Sequence, residues 1–300
     1  MWRTDHFLLS LLNQRLASPA LDVVMVLATT VGLALVLVIA LADMGRDRRR
    51  GLVWLGALGA TFGLTMVLQF WVGRGRPEPE EVRLVFAMPE FLSFPSGHAA
   101  LTFCAATLLG LARRRAWVWG AALAWAALVV TSRVYLGHHY PTDVVCGALL
   151  GSSVGAACHG LWLQQSVPLE RRLRWLVWPQ AAMMLLISAL AYLNLIPFSM
   201  SSIPYADKVM HFLLFGLMAF WLHIWLGGRC LALGPLRVPL AVIIVLAIAL
   251  PEELAQGLSS LRAVEGLDLL SDLTGSLAFV WLASRLLARL RAAGEQAPAS

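Results

Sequence analysis

The chain contains several stretches of about 18–20 apolar residues with no ionised group, such as 23–42. A run of that length, apolar on every side, leaves few folds open. In lipid each backbone N–H and C=O must be satisfied within the segment, so such a run crosses a bilayer as a helix. The composition agrees: 59% of the 300 residues are hydrophobic and 13% charged, against roughly 45–50% and about 25% in soluble domains. A very apolar soluble protein is excluded by run length. Spans are expected near 22–42, 52–72, 97–112, 116–133, 143–163, 175–196, 209–226, 238–254 and 268–288. The fold class expected is all-α: a polytopic membrane protein of about nine transmembrane helices. Residues 5–17 predict a short amphipathic helix, with Phe7, Leu8, Leu11, Leu12 and Leu16 on one face. It is too short to span and is expected in the interface. Asp5, Arg15 and Pro19 surround its apolar patch and no small-residue cleavage site follows, so no cleavable signal peptide is expected.

The net charge is +6, and every basic residue except Lys208 is arginine. A basic balance can indicate nucleic acid, but there is no soluble domain here to carry a basic face. The arginines fall in short loops. Arg46, Arg48, Arg49 and Arg50, then Arg113, Arg114 and Arg115, then Arg171, Arg172 and Arg174, then Arg229 and Arg237, then Arg285, Arg289 and Arg291 all lie on one side of the expected topology. The positive-inside rule makes that side cytoplasmic. Arg3, Arg15, Arg74, Arg76, Arg83, Arg133, Lys208 and Arg262 are left on the outer side, where something other than topology must retain them. The four cysteines have no metal-ligand spacing. Cys104, Cys146 and Cys158 fall in expected spans and Cys230 near a helix end, and all read as small apolar fillers. No metal and no cofactor is expected. The polar loop 164–175 divides the chain: an interfacial segment 1–21 and a first membrane domain 22–165, then a second membrane domain 175–290 and a cytoplasmic tail 291–300. No internal repeat links the halves. Gly147, Gly151 and Gly155 recur every fourth residue on the fifth span, a face on which a neighbouring helix can approach closely.

Two polar stretches sit at the outer ends of apolar runs: Pro95-Ser96-Gly97-His98, and Ser132-Arg133 followed by His139 and Asp143. Cleaving a phosphate ester needs cations and amides for the phosphoryl oxygens, a nucleophile in line, and an acid for the leaving oxygen. His139 and Asp143 are four apart across a helix start opened by Pro141, so the carboxylate can reach back to the imidazole and fix its tautomer. Arg133 is close enough in sequence to share their pocket. Ser96 and Gly97 open a helix whose free N–H groups attract anions. His98 lies one residue inside it, and Arg76 can add a bidentate fork.

These residues resemble the type 2 phosphatidic acid phosphatase (PAP2) family. Pro95-Ser96-Gly97-His98 and Ser132-Arg133-(five)-His139-(three)-Asp143 look like its second and third signatures, and Arg76-Pro77 like the end of its first, over roughly residues 52–160. The family shares its helical core with the vanadium haloperoxidases. The resemblance implies metal-independent hydrolysis through a phosphohistidine, with His139 as nucleophile, Asp143 orienting it and His98 as general acid. Arg76, Ser96, Gly97 and Arg133 would hold the phosphate. One position departs: Gln69 stands where the first signature has lysine. Its amide can donate to a phosphate oxygen but brings no charge, and Arg74 could swing in instead. His138 falls outside the motif spacing and reads as a polar loop residue. His159 and Asn194 read as internal hydrogen-bonding groups, and Glu78, Glu80 and Glu81 as a solvated loop.

A second polar set follows: Asp207, Lys208 and His211; Glu252, Glu253 and Gln256; Arg262, Glu265, Asp268 and Asp272. Charged groups at membrane depth face a cavity or each other, so the set is either a site or an ion-pair network capping helices. Asp207-Lys208-(two)-His211-Phe212, Glu252-Glu253-Leu254-Ala255-Gln256, Arg262, Asp268-Leu269 and Gly275 resemble the VanZ-like family over about 175–290, which implies a four-helix bundle. Asp272 stands where that family more often has asparagine. The resemblance names a domain without naming a mechanism.

The function expected is an integral-membrane lipid phosphatase of the cell membrane. It would act at the extracytoplasmic face on a phosphomonoester or pyrophosphate: an isoprenoid carrier pyrophosphate, phosphatidic acid or phosphatidylglycerol phosphate. Its partner is a membrane lipid phosphate and not nucleic acid. Alternatives are a lipid-binding or translocating protein that uses the pocket for a head group, phosphotransfer to an acceptor other than water, and a vanadate-dependent haloperoxidase. Those haloperoxidases are typically soluble.

Overall fold

A computed structural model describes residues 2–86, 92–164, 167–192, 206–257 and 266–295. The chain forms two compact units, 1–163 with 185–197, and 164–184 with 198–300. Six of the expected segments form helices long and apolar enough to cross a membrane: Pro19–Arg46, Arg48–Val72, Ala116–Tyr135, Pro141–Leu163, Asp207–Trp225 and Gly266–Ala293.

In the first unit α1 (Trp2–Ser10) runs into a π turn (Leu11–Arg15). Then come α2 (Pro19–Arg46), α3 (Arg48–Val72), α4 (Gly97–Arg113), α5 (Ala116–Tyr135) and α6 (Pro141–Cys158). Local chemistry sets the ends. Ser18 caps α2 by accepting from the Leu21 N–H at 3.3 Å, with Pro19 at the first helical position. Asp47 caps α3 through the Arg50 N–H at 3.1 Å, and α3 stops at Gly73, whose φ of +65° suits glycine. Pro141 opens α6.

The glycine stripe expected on the fifth span is the contact between α6 and α4. A side chain at Gly147, Gly151 or Gly155 would run into the backbone of Ser96, Ala100 or Cys104. Small residues here let two backbones touch, the packing available where lipid removes the hydrophobic drive between helices. This contact places the start of α4 beside the start of α6. The apolar core of Val36, Trp54, Leu58, Cys104 and Leu108 fills the bundle below. At the opposite end the buried Asp43 takes Arg113 at 3.0 Å and lies 3.9 Å from Arg50.

The N-terminal segment differs from the expectation in what it buries. Phe7, Leu8 and Leu16 are exposed, while Asp5, Leu9 and Asn13 are buried. Phe7, Leu8 and Leu16 of the expected apolar face thus point away from the bundle, while Asp5 and Asn13 point in beside Leu9. Asn13 donates to the Tyr135 and Arg83 carbonyls at 2.7 and 2.8 Å. Arg83 forms a fork on Asp22 at 2.6 and 2.9 Å, a reason other than topology for an arginine at this end of the unit.

The second unit contains α7 (Leu169–Leu173), α8 (Val177–Tyr192, split between the units), α9 (Ala206–Trp225), α10 (Leu240–Gly257) and α11 (Gly266–Glu295). Its core is Val177, Phe215, Ala219, Leu222, Val242, Val245 and Val280. Gly275 of α11 sits against the Phe212 carbonyl of α9. The stretch expected as a loop before 238 is instead a hairpin, β1 (Cys230–Leu233) with β2 (Leu236–Pro239), Leu233 opposite Leu236. Its two-residue turn begins with Gly234 at φ +62°, the position a II′ turn reserves for glycine. Cys230 therefore opens a strand, and all four cysteines are free thiols.

Candidate active site

The first unit gathers the signature residues at one end of the bundle. The end of α3 supplies Gln69, the following loop Arg74 and Arg76, the start of α4 Ser96, Gly97 and His98, the end of α5 Arg133, and the start of α6 Asp143. The His138–Tyr140 loop carries His139. Ser96, His138 and Asp143 are wholly buried, His139 and Arg133 almost so, and Arg76, Gly97 and His98 half-buried.

His139 is oriented by a residue that sequence reasoning missed. Its Nδ1 lies 2.9 Å from the Ser93 carbonyl oxygen. A carbonyl can only accept, so Nδ1 carries the proton and Nε2 keeps the lone pair. The expected direct bond to Asp143 is not made, since Nδ1 and Oδ2 are 3.7 Å apart. Ser93 stands between them, and its hydroxyl donates to Asp143 Oδ2 at 2.5 Å. Asp143 sits at the third position of α6, where its Oδ2 also accepts from the Tyr140 N–H at 2.9 Å. The helix start therefore competes with the imidazole for the carboxylate. Burial, then Arg76 and Arg133, hold the His139 imidazole well below its ordinary pKa, so it is neutral near pH 7.

Arg76 is the group facing Nε2. Its Nη1 is 3.3 Å from His139 Nε2 and donates to the His138 carbonyl at 2.7 Å. Arg133 donates through Nη1 to Thr29 Oγ1 and through Nη2 to His138 Nδ1, both at 2.9 Å. His138 is a loop residue as expected, but its ring is buried, bonded to Arg133 and edge-on to Phe86. His98 lies within the field of the Arg133 and Arg76 guanidinium groups. The Ser96 N–H donates to the Asp143 carbonyl at 2.9 Å, tying the α4 start to α6. Ser96 Oγ and Arg133 Nε are buried and have no hydrogen-bond partner among the described residues. Both can donate to an oxygen of a bound anion.

Two expectations for the cationic set are corrected. Gln69 is buried and its Nε2 donates to the Pro95 carbonyl at 3.0 Å, so the partner it has is the Pro95–His98 turn. Arg74 does not replace the missing lysine. It bonds Asp143 Oδ1 at 2.7 Å, Thr142 Oγ1 at 2.8 Å and Asp5 Oδ2 at 3.1 Å, with its guanidinium 4.2 Å from the centre of the Tyr140 ring. Three bonds and a ring hold it on the far side of Asp143.

In the second unit, Lys208 lies 2.6 Å from Asp207 and 2.9 Å from Asp268, and His211 Nδ1 lies 3.0 Å from Asp272. The side chains of Glu252, Glu253 and Gln256, and the whole of Asn194, Arg262 and Glu265, lie outside the described residues. Among the described residues no three of His, Cys, Asp and Glu are grouped to hold a metal.

Comparisons with known proteins follow the same residues. The PAP2 superfamily profile matches residues 50–166. The chain is 35% identical to a decaprenylphosphoryl-5-phosphoribose phosphatase of Mycobacterium tuberculosis over 40% of this chain and 67% of that protein. It is 45% identical to an undecaprenyl-diphosphatase of Sulfolobus acidocaldarius over 21% of this chain and 31% of that one. Among solved structures, a PAP2-type phosphatidylglycerolphosphate phosphatase of Bacillus subtilis is similar at 28% identity and a TM-score of 0.47, over 53% of this chain and 84% of its own. With that profile match and a relative covered over two thirds of its length, the chain belongs to the PAP2 superfamily.

Proposed function

We propose that this membrane lipid phosphate hydrolase cleaves the phosphate or pyrophosphate of a polyprenyl-linked lipid at the extracytoplasmic face, through a phosphohistidine on His139. The observation that carries the reading is the geometry of His139: Nδ1 lies 2.9 Å from the Ser93 carbonyl, which places the proton there, and Nε2 faces Arg76 at 3.3 Å. Nε2 attacks phosphorus, the N–P bond forms and the bond to the lipid oxygen breaks. His98, which takes up a proton as the phosphate anion binds beside Arg76 and Arg133, gives that proton to the leaving oxygen. Water then attacks the phosphohistidine and returns a proton to His98, releasing phosphate and restoring the imidazole. Arg76, Arg133 Nε, Ser96 Oγ and the Gly97 N–H are the donors for the phosphoryl oxygens.

The substrate class is supported by the relatives, two of which are named for polyprenyl-linked phosphates. Phosphatidic acid and phosphatidylglycerol phosphate stay on the test panel. The extracytoplasmic side is supported by the arginines at the other end of the first unit, Arg50 and Arg113, which the positive-inside rule assigns to the cytoplasm. The kinship of the second unit with the VanZ-like family rests on its motif residues.

Purified protein in detergent is expected to release phosphate from at least one panel lipid with chelator present. His139→Ala is expected to lower that rate by about 10³-fold or more while lipid binding persists. A wild type that binds the panel without cleaving any of it overturns the hydrolase reading in favour of a head-group site.

A further inference from the structure

We propose that Asp5, on the N-terminal helix, is a positioning residue for the hydrolytic site, acting on Asp143 through Arg74 and Thr142. The inference rests on the hydrolase reading above and adds a residue that lies outside every signature.

Asp5 is almost wholly buried, and both its oxygens are engaged. Oδ1 accepts the Thr142 N–H at 3.1 Å, while Oδ2 accepts the Thr142 hydroxyl at 2.7 Å and Arg74 at 3.1 Å. Thr142 is the second residue of α6, one of the positions whose N–H has no acceptor within its own helix. α6 begins with Pro141 and has Tyr140 before it, whose side chain makes no capping bond. A carboxylate from 137 residues earlier therefore supplies the cap and faces the positive end of the helix.

The same carboxylate shares Arg74 with Asp143. Arg74 Nη1 holds Asp143 Oδ1, while Asp143 Oδ2 takes the Ser93 hydroxyl and the Tyr140 N–H. Those bonds fix the plane of the Asp143 carboxylate. Ser93 in turn offers its carbonyl to the His139 Nδ1–H. The path from Asp5 to the attacking imidazole is thus Asp5, Arg74 with Thr142, Asp143, Ser93, His139, with buried polar bonds at each step. One arginine between two carboxylates is a buried triad, and removing one end leaves the others under-compensated. Without Asp5, Arg74 loses an anchor and the Thr142 N–H at the α6 start loses its acceptor. Asp143 then shifts relative to Ser93, and His139 with it. An ångström-scale misplacement of a reacting group can cost about 10²-fold in rate.

The full chain in detergent would be assayed on a polyprenyl pyrophosphate and a short-chain phosphatidic acid, comparing wild type, Asp5→Asn, Arg74→Met, the double variant and Gln14→Ala. Gln14 follows the same N-terminal helix and among the described residues its side chain bonds the Glu81 carbonyl, at 2.8 Å, so its loss controls for a loosened segment. Asp5→Asn is expected to lower kcat by about ten- to a hundredfold with KM within about twofold, and Gln14→Ala to match wild type. In the Arg74→Met background Asp5→Asn is expected to add little, because the two act in one chain of contacts. An active wild type with Asp5→Asn equal to Gln14→Ala, or with effects that multiply independently, overturns the positioning role. If wild type itself is inert while binding lipid, the hydrolase reading falls and takes this role with it.

Discussion

Both units place ionisable side chains at helix ends in an otherwise apolar chain, yet the two clusters are built differently. In the second unit the described polar groups meet as complementary pairs across α9 and α11: Lys208 with Asp268, and the His211 ring with Asp272. In the first unit the positive groups outnumber their carboxylates at the centre. Arg76 and Arg133 bond a histidine ring, a carbonyl and a hydroxyl, and Ser96 Oγ and Arg133 Nε have no partner among the described residues. Opposite charges in pairs hold helices together. Uncommitted buried donors around a neutral imidazole suit an anion that comes and goes. Charge at membrane depth does not by itself separate the two cases; the bonding does.

The sharpest test sets Arg133→Ala against Asp272→Ala. Losing Arg133 removes a donor set from the phosphate pocket and is expected to lower kcat/KM by about 10³-fold. Losing Asp272, which is 1% exposed, leaves His211 Nδ1 without that acceptor. Its expected cost is about 1–3 kcal/mol of stability, read as a lower melting temperature in detergent, with turnover per folded molecule near wild type. If Asp272→Ala silences phosphate release as Arg133→Ala does, the contrast between site and strut fails.

A second test uses the glycines on which each unit closes. Gly151 lies against the Ala100 backbone, between the two helices that present Ser96 and Asp143; Gly275 lies against the Phe212 carbonyl. Valine at either position forces two backbones apart, a change costing about 1–3 kcal/mol or more. Both variants are expected to melt at lower temperature. Gly151→Val is expected in addition to lower turnover of the surviving folded protein by about tenfold or more, since it moves the two halves of the site. Equal turnover in the two variants would dissolve the distinction.

The contrast also shows what a sequence conveys. The long helices were legible because uncharged runs allow little else in lipid. The signature residues were legible because their spacing places them at helix ends that must meet. Ser93 was not, because a serine in a loop carries no periodic signal and acts here through its main-chain carbonyl as well as its hydroxyl. Asp5 was hidden by the apolar stripe around it: Phe7, Leu8 and Leu16 suggest a helix lying on lipid, and only packing reveals that its other face is polar and buried. Arg74 and Gln69 were seen but assigned the wrong partners, because residue type alone does not say that one faces Asp143 and the other the Pro95 carbonyl. The hairpin at 230–239 was missed because Gly234-Pro235 reads as an ordinary loop until the flanking residues pair.

The smallest expected effect concerns the histidines. His211 faces a carboxylate, whereas His138 faces the Arg133 guanidinium. Burial first, then the charge of Arg133, push the His138 imidazole down to about 4, with the Phe86 backbone opposing. Unfolded, the ring returns to about 6.5. Above that pH neither state binds the proton and the folded state loses nothing. As pH falls from 6.5 toward 4 the unfolded chain takes up a proton that the folded chain refuses, so stability is lost across that window. His138→Gln keeps an acceptor for Arg133 and the main-chain carbonyl used by Arg76, but does not titrate. Melting temperatures in detergent at pH 7.5 and 5.5 are therefore expected to drop less for His138→Gln than for wild type. Identical drops would mean that His138 can take its proton without leaving Arg133, and that this side of the pocket yields as readily as the paired charges of the second unit.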